Sequence, residues 1–176
     1  MIDALVSLLA DRQPACGTTK VMAIDGPSGA GKTDLARAVA DATGAAVLGV
    51  DRFVPGWHGL GEVPRILADL LGQVCVGGPA SARLWDWEAD RPGAVESMPP
   101  VPLLVLDGCG SGSRAVRPFI SLGVWVDAPT RVRRERAIAR DGDTYAPWWD
   151  VWAAQERELF AAEGTQAAAD LRLTSG

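Results

Sequence analysis

A glycine-rich segment that ends in lysine and threonine carries the clearest chemical signal in the sequence. It reads Gly26-Pro27-Ser28-Gly29-Ala30-Gly31-Lys32-Thr33, with an apolar run before it and a helical pattern after it. Glycines in this spacing allow the backbone to curl so that its N–H groups point at phosphate oxygens, and the start of the following helix adds positive potential. Lys32 can reach the β- and γ-phosphates of a nucleotide, and Thr33 can offer its hydroxyl to Mg²⁺. We therefore expect all eight residues to bind nucleotide phosphates, with Lys32 also acting in catalysis.

Two carboxylates follow apolar runs further along the chain. Asp51 comes after residues 45–50, and Asp107 comes after residues 103–106. Because open α/β sheets bind ligands at the carboxyl ends of their strands, we expect both side chains beside the phosphates. Asp107 is predicted to hold Mg²⁺, directly or through water. Asp51 is the best candidate for the base that orients an acceptor hydroxyl, and a second candidate metal ligand. A simple turn or helix cap is the alternative for either residue.

Three arginines share one face of a predicted helix over residues 129–140. Arg133, Arg136 and Arg140 are three and four positions apart, which places them on the same side of a helix. Such a stripe could close over the nucleotide as a lid at approximately residues 131–150 and stabilise charge on the transferred phosphoryl group. A solvated face paired with neighbouring carboxylates is the alternative. Arg136 and Arg140 are the better candidates for catalysis, and Arg136 also for nucleotide binding.

Aromatic and cationic side chains near Asp51 could form the wall of an acceptor pocket by stacking on a flat ring. With Asp51 itself, the candidates are Phe53, Trp57, His58, Arg83 and Trp85. Core packing by large aromatic residues is the alternative. If the acceptor were a nucleotide phosphate instead of a hydroxyl, additional cations would be needed, and Arg52, Arg65 and Arg83 are available. An ATPase module that acts on a protein partner is a further alternative. A GTPase is disfavoured because the chain has no Asn for an Asn-Lys-x-Asp guanine motif.

Strands and helices alternate along the chain, which predicts a three-layer α/β/α P-loop NTPase fold with about five parallel strands and a helical lid. The predicted strands cover residues 20–25, 45–50, 103–106, 122–126 and 170–173. The predicted helices cover residues 2–11, 33–43, 62–76, 110–119, 129–140 and 146–162. The segment 83–87, where aromatic and charged residues alternate, fits neither pattern. With no internal repeat and no long linker, residues 1–176 are expected to form a single domain.

The charge, apolar runs and cysteines of the chain limit the kinds of molecule that it is expected to bind. The net charge of −5 disfavours a general nucleic-acid binder. No apolar run approaches the ~20 residues of a membrane span, and the first residues do not have the pattern of a signal peptide. The three cysteines, Cys16, Cys75 and Cys109, have neither a metal-ligand spacing nor a disulfide framework. We therefore expect a cytoplasmic protein whose partner is a small molecule.

Taken together, the phosphate loop, Asp51-Arg52-Phe53, Asp107-Gly108 and Arg136…Arg140-Asp141-Gly142 resemble the uridine kinase branch of the P-loop nucleoside and nucleotide kinases. The resemblance implies ATP-dependent phosphoryl transfer to a hydroxyl of a small molecule, with a nucleoside as a candidate acceptor. It also implies ATP and Mg²⁺ as cofactors, with Asp51 as the base. The sequence departs from the family's pattern at Asp107, where glutamate is usual. It also departs between Gly72 and Glu96, which do not match the pyrimidine-binding segment.

Overall fold

A five-stranded parallel sheet forms the centre of the structure, a computed structural model that describes residues 1–175. The strands of the chain are β1 (Lys20–Asp25), β2 (Ala46–Gly49), β3 (Ala80–Asp86), β4 (Arg91–Met98), β5 (Leu103–Asp107), β6 (Leu122–Asp127) and β7 (Leu171–Thr174). Five of them form the parallel sheet in the order β2-β5-β1-β6-β7. This order aligns the carboxyl ends of β1, β2 and β5, so that the residues following them meet at one edge.

Helices cover both faces of this sheet. They are α1 (Ile2–Asp11), α2 (Lys32–Thr43), α3 (Val63–Cys75), α4 (Thr130–Asp141), α5 (Trp149–Glu163) and the short α6 (Thr165–Ala168). Successive residues of β1 face opposite layers: Val21 packs in the core with α3 and α5, whereas Met22 and Ile24 pack in the core with α1 and α2. Because both faces are buried, the strand is a continuous apolar run. The predicted three-layer α/β/α arrangement with five parallel strands is confirmed.

An antiparallel hairpin is the main element that the sequence did not predict. β3 and β4 pair with each other, with Ala80 opposite Met98 and Asp86 opposite Arg91. The hairpin packs against α3 and the 3₁₀ turn Val50–Phe53. Its second strand is largely exposed and contains Pro92 and Gly93, so its sequence lacks the apolar alternation by which strands are recognised.

The predicted helix over residues 110–119 is wrong. The chain forms turns there, with a single 3₁₀ turn at Arg117–Phe119. Gly110 has a φ of +86°, outside the helical region, and the N–H groups of Ser113, Val116 and Phe119 each donate to the carbonyl three residues earlier. The segment therefore folds as successive turns, and the N–H groups of Gly110 and Gly112 hold it to β1 by donating to the carboxylate of Asp25.

Two cysteines that are far apart in the sequence are neighbours in space. Cys16 lies in the segment that precedes β1 and is buried, and Cys75 is the last residue of α3. Their sulfur atoms are 2.9 Å apart, and both are free thiols. Burial, and then the neighbouring Cys75, raise the pKa of Cys16.

None of the helices in residues 1–175 combines the length and hydropathy needed to cross a membrane.

Candidate active site

The glycine-rich segment forms the loop between β1 and α2, and its backbone requires glycine. Gly26, Gly29 and Gly31 have φ values of +140°, +77° and +93°, which L-residues with side chains rarely adopt. A Cβ at Gly29 would lie 2.1 Å from the carbonyl oxygen of Arg133, and one at Gly26 would lie 2.0 Å from that of Val126. The loop is therefore packed tightly beneath the start of α4 and the end of β6.

Lys32 begins α2 and is buried beneath the loop. Its Nζ donates to the carbonyl of Pro27 at 2.9 Å and lies 3.7 Å from the Cys109 sulfur. Burial by itself lowers the pKa of Lys32, but the surrounding acidic groups, among them Glu156 and Asp107, more than offset it. The ammonium group is therefore charged and fixed where a loop of this kind receives phosphates.

Asp25, the last residue of β1, ties two loops together. Its carboxylate accepts hydrogen bonds from the N–H groups of Gly26 at 2.7 Å, Gly110 at 2.9 Å and Gly112 at 2.9 Å. Burial raises its pKa to about 6, although these bonds and Lys32 oppose the shift. No role for Asp25 was predicted from the sequence. The only available signal was a carboxylate between a buried strand and a glycine.

Asp107 and Thr33, two of the residues predicted to hold Mg²⁺, are neighbours in the structure. Asp107 is buried, and its Oδ1 has no hydrogen-bond partner among the described residues. Burial raises its pKa, and the neighbouring Thr33 hydroxyl and Lys32 ammonium only partly oppose that shift. A buried carboxylate oxygen without a partner beside a hydroxyl fits Mg²⁺, which proteins commonly bind through one or two carboxylates together with substrate phosphates. Residues 1–175 contain no group of three or more histidine, cysteine or acidic side chains arranged to hold a metal.

A cavity of about 410 Å³ opens above the loop and collects most of the predicted site residues. Nine predicted residues line it: Ser28, Gly29 and Gly31 of the loop, together with Lys32, Thr33, Asp51, Asp107, Arg136 and Arg140. Its other walls include Arg37 from α2, for which no role was predicted although it lies one helical turn after Thr33. Apolar side chains close the side near Asp51, namely Val50, Val54, Leu60 and Trp152. The side chains predicted to bind phosphate and Mg²⁺ thus share one cavity with Asp51.

The three α4 arginines predicted to share one face do not all face the cavity. Arg136 and Arg140 line the cavity. Arg140 also makes two hydrogen bonds to Asp141, at 2.6 and 2.8 Å, and this contact raises its pKa. Arg133 instead donates to the carbonyls of Ala128 at 2.9 Å and Ser28 at 3.4 Å, so it supports the loop from outside the cavity.

The predicted acceptor-wall residues do not line this cavity. Phe53, Arg83 and Trp85 line a separate space of about 520 Å³ between α3 and the hairpin. Trp57 stacks on Trp148, with ring centroids 5.4 Å apart and planes inclined by 3°. His58 packs edge-on against the same Trp148 ring at 5.7 Å. Contact between these five residues and an acceptor remains a prediction. Of the six predicted substrate residues, all of which lie within the described residues 1–175, only Asp51 lines the cavity above the loop.

No protein-family model matches the chain, and no curated protein matches its sequence significantly. Solved structures are similar over nearly all of it. A possible uridine kinase from Bacillus stearothermophilus has a TM-score of 0.67 and 17% identity, covering 98% of this chain and 96% of that one. A candidate fructose transport system kinase from Silicibacter sp. TM1040 has a TM-score of 0.62 and 21% identity, covering 98% of each chain.

A D-glycerate 3-kinase from Cryptococcus neoformans is also similar, with a TM-score of 0.55 and 11% identity over 98% of this chain and 92% of that one. At these identities the similarity concerns the fold. The chain therefore has the fold of P-loop kinases of the uridine kinase type, which confirms the fold class predicted from the phosphate loop and the alternating strands and helices.

Proposed function

We propose that the protein is an ATP-dependent kinase that transfers the γ-phosphoryl group of ATP to a hydroxyl of a small molecule, with a nucleoside as a candidate acceptor. One observation carries the proposal. A phosphate loop with Lys32 and Thr33 shares a single cavity with Asp51, Asp107, Arg136 and Arg140. The folds of the similar kinase structures support the same class of reaction.

Each residue of the cavity has a separate role in the proposed phosphoryl transfer. The loop N–H groups and Lys32 bind the phosphates, and Thr33 and Asp107 would hold Mg²⁺, which when bound neutralises charge on the phosphate oxygens. Asp51 orients the acceptor hydroxyl and takes its proton as that oxygen bonds to the γ-phosphorus. The bond from the γ-phosphorus to the bridging oxygen breaks, and ADP leaves. Arg136 and Arg140 stabilise charge on the group in transfer.

The positions and contacts of Arg52, Arg65 and Arg83 favour a hydroxyl acceptor over a nucleotide phosphate. Arg52 forms an ion pair with Glu96, and Arg65 pairs with two carboxylates of its own segment. Arg83 donates to the carbonyl of Gly93 at 2.9 Å. None of the three arginines predicted to bind a second phosphate lines the cavity described for residues 1–175.

The proposal is tested by ADP release from Mg-ATP against a panel of nucleosides, nucleotides, sugars and other alcohols. We expect one class of hydroxyl compound to stimulate release, and Asp51→Asn to abolish most of that stimulation while ATP still binds. The isosteric change keeps the side chain's size and removes its basicity. Stimulation that is equal in the variant would contradict the role of Asp51, and stimulation by nucleotides alone would favour a phosphate acceptor.

A further inference from the structure

A buried carboxylate outside the cavity contacts the phosphate loop directly. Glu156 of α5 is 3% exposed. Its Oε1 accepts hydrogen bonds from the Ser28 N–H at 2.7 Å and the Trp152 indole N–H at 3.0 Å, and lies 3.2 Å from the Cys109 sulfur. The donors come from the loop, from α5 and from the turn after β5. A buried carboxylate is costly unless it is well hydrogen-bonded. The two N–H donors on Oε1 meet this need, and the single S–H of Cys109 can donate either to Oε1 or to the Gly26 carbonyl, which lies at the same 3.2 Å distance.

Arg133 completes the arrangement from the other side of the same residue. Its Nη1 lies 3.4 Å from the Ser28 carbonyl oxygen and 4.0 Å from Oε2 of Glu156. Residue 28 thus has its N–H held by an anion and its carbonyl faced by a cation. These contacts fix the orientation of the backbone at the outer turn of the loop, immediately before Gly29, where a Cβ would collide with the carbonyl oxygen of Arg133.

We propose that Glu156 is a positioning residue, which acts through the Ser28 N–H to hold the phosphate loop in its nucleotide-binding shape. The inference rests on the proposed function only in requiring that the loop binds a nucleotide. Its physical basis is that a loop whose N–H groups must converge on phosphate loses affinity when it has to be ordered during binding. The Ser28 N–H is directed to Glu156, so it anchors the loop.

Three substitutions separate the possible roles of this side chain. Glu156→Gln keeps a carbonyl oxygen where Oε1 lies and removes the charge that faces Arg133. Glu156→Met fills a similar volume without an acceptor. Glu156→Asp keeps the charge but shortens the side chain by one methylene, which withdraws the oxygen from Ser28. Glu158→Ala, an exposed position on the same helix, is the matched control.

Calorimetric titration with Mg-ADP and Mg-ATP, without any acceptor, gives the readout. We expect Glu156→Met to weaken both affinities by about ten- to a hundredfold, the range of a lost hydrogen bond to a charged group. We expect Glu156→Gln and Glu158→Ala to stay within about threefold of the original chain. Thermal unfolding of every variant is measured in parallel, so that affinities are compared well below each midpoint.

The order of the two conservative variants keeps the test decisive even if Glu156→Met does not fold. Positioning by the hydrogen bond predicts that Asp weakens nucleotide binding more than Gln. The reverse order would overturn the inference, because it would assign the effect to charge. So would unchanged affinities in folded Glu156→Met, which would leave only a structural role. Nucleotide binding without phosphoryl transfer to any acceptor would instead contradict the proposed function and leave this inference standing.

Discussion

The buried carboxylate of Asp25 makes the stability of the fold depend on pH in an unusual direction. Its pKa is about 6 in the folded protein against an ordinary value of 3.8, because burial disfavours the charged form. The folded state therefore binds this proton more tightly than the unfolded state does. The resulting stabilisation is fully present below pH ~4 and is lost as the pH rises through about 6. A carboxylate with a lowered pKa would give the opposite trend.

The size of the effect follows from the two pKa values. They differ by about 2 units, and each unit corresponds to about 1.4 kcal/mol, so the free energy of unfolding should fall by about 3 kcal/mol between pH ~4 and pH ~7.5. Solvent screening does not reduce this figure appreciably, since Asp25 is 3% exposed. An effect of that size is a large part of the stability of a typical domain.

The assay is urea unfolding followed by tryptophan fluorescence, from pH 4 to pH 8, for the original chain and Asp25→Asn. The asparagine cannot ionise, so the difference in unfolding free energy between the two proteins isolates this carboxylate from the other titrating groups. We expect that difference to shift by about 3 kcal/mol against the original chain as the pH rises. Asp41→Asn, at an exposed position of α2, controls for loss of a carboxylate. A flat difference, or one that shifts in favour of the original chain, would refute the reasoning.

Further predictions concern the loop, the metal and the hairpin. Gly29→Ala should abolish Mg-ATP binding in calorimetry because its Cβ would meet a carbonyl oxygen at 2.1 Å, whereas Gly44→Ala, with a similar φ of +73° and open space around it, should cost only ~1 kcal/mol in thermal unfolding. Asp107→Asn should raise the Mg²⁺ concentration needed for half-maximal turnover by about tenfold or more; an unchanged requirement would remove it from the metal site. Trp87→Phe removes a 3.1 Å hydrogen bond to the Asp51 carbonyl, and should lower turnover while sparing ATP affinity.

The parts of the site that could be predicted from sequence are those in which the signal is local. The phosphate loop is a contiguous motif, and Asp51 and Asp107 each follow an apolar run, so their meeting at one sheet edge follows from parallel strands. The spacing of Arg136 and Arg140 likewise predicted a shared helical face, and both line the cavity.

The remaining parts depend on contacts between distant segments. Glu156 meets Ser28 across 128 positions of the chain, and nothing near either residue in the sequence indicates the pairing. The same applies to Asp25, whose partners Gly110 and Gly112 lie 85 and 87 positions away in the chain. Helical spacing predicted that Arg133 shares a face with Arg136 and Arg140. Spacing does not indicate which surface a helix packs against, and Arg133 contacts the phosphate loop from outside the cavity.

The most direct test of the account is the fate of the γ-phosphate. The protein is incubated with Mg-ATP labelled at the γ-position and a pool of small metabolites freed of proteins and nucleic acids, and the labelled products are separated. We predict that label appears in an organic phosphate ester, and that Lys32→Ala and Asp51→Asn each prevent it. Label that appears only as inorganic phosphate, or that remains entirely in ATP, would contradict a kinase acting on a small-molecule hydroxyl.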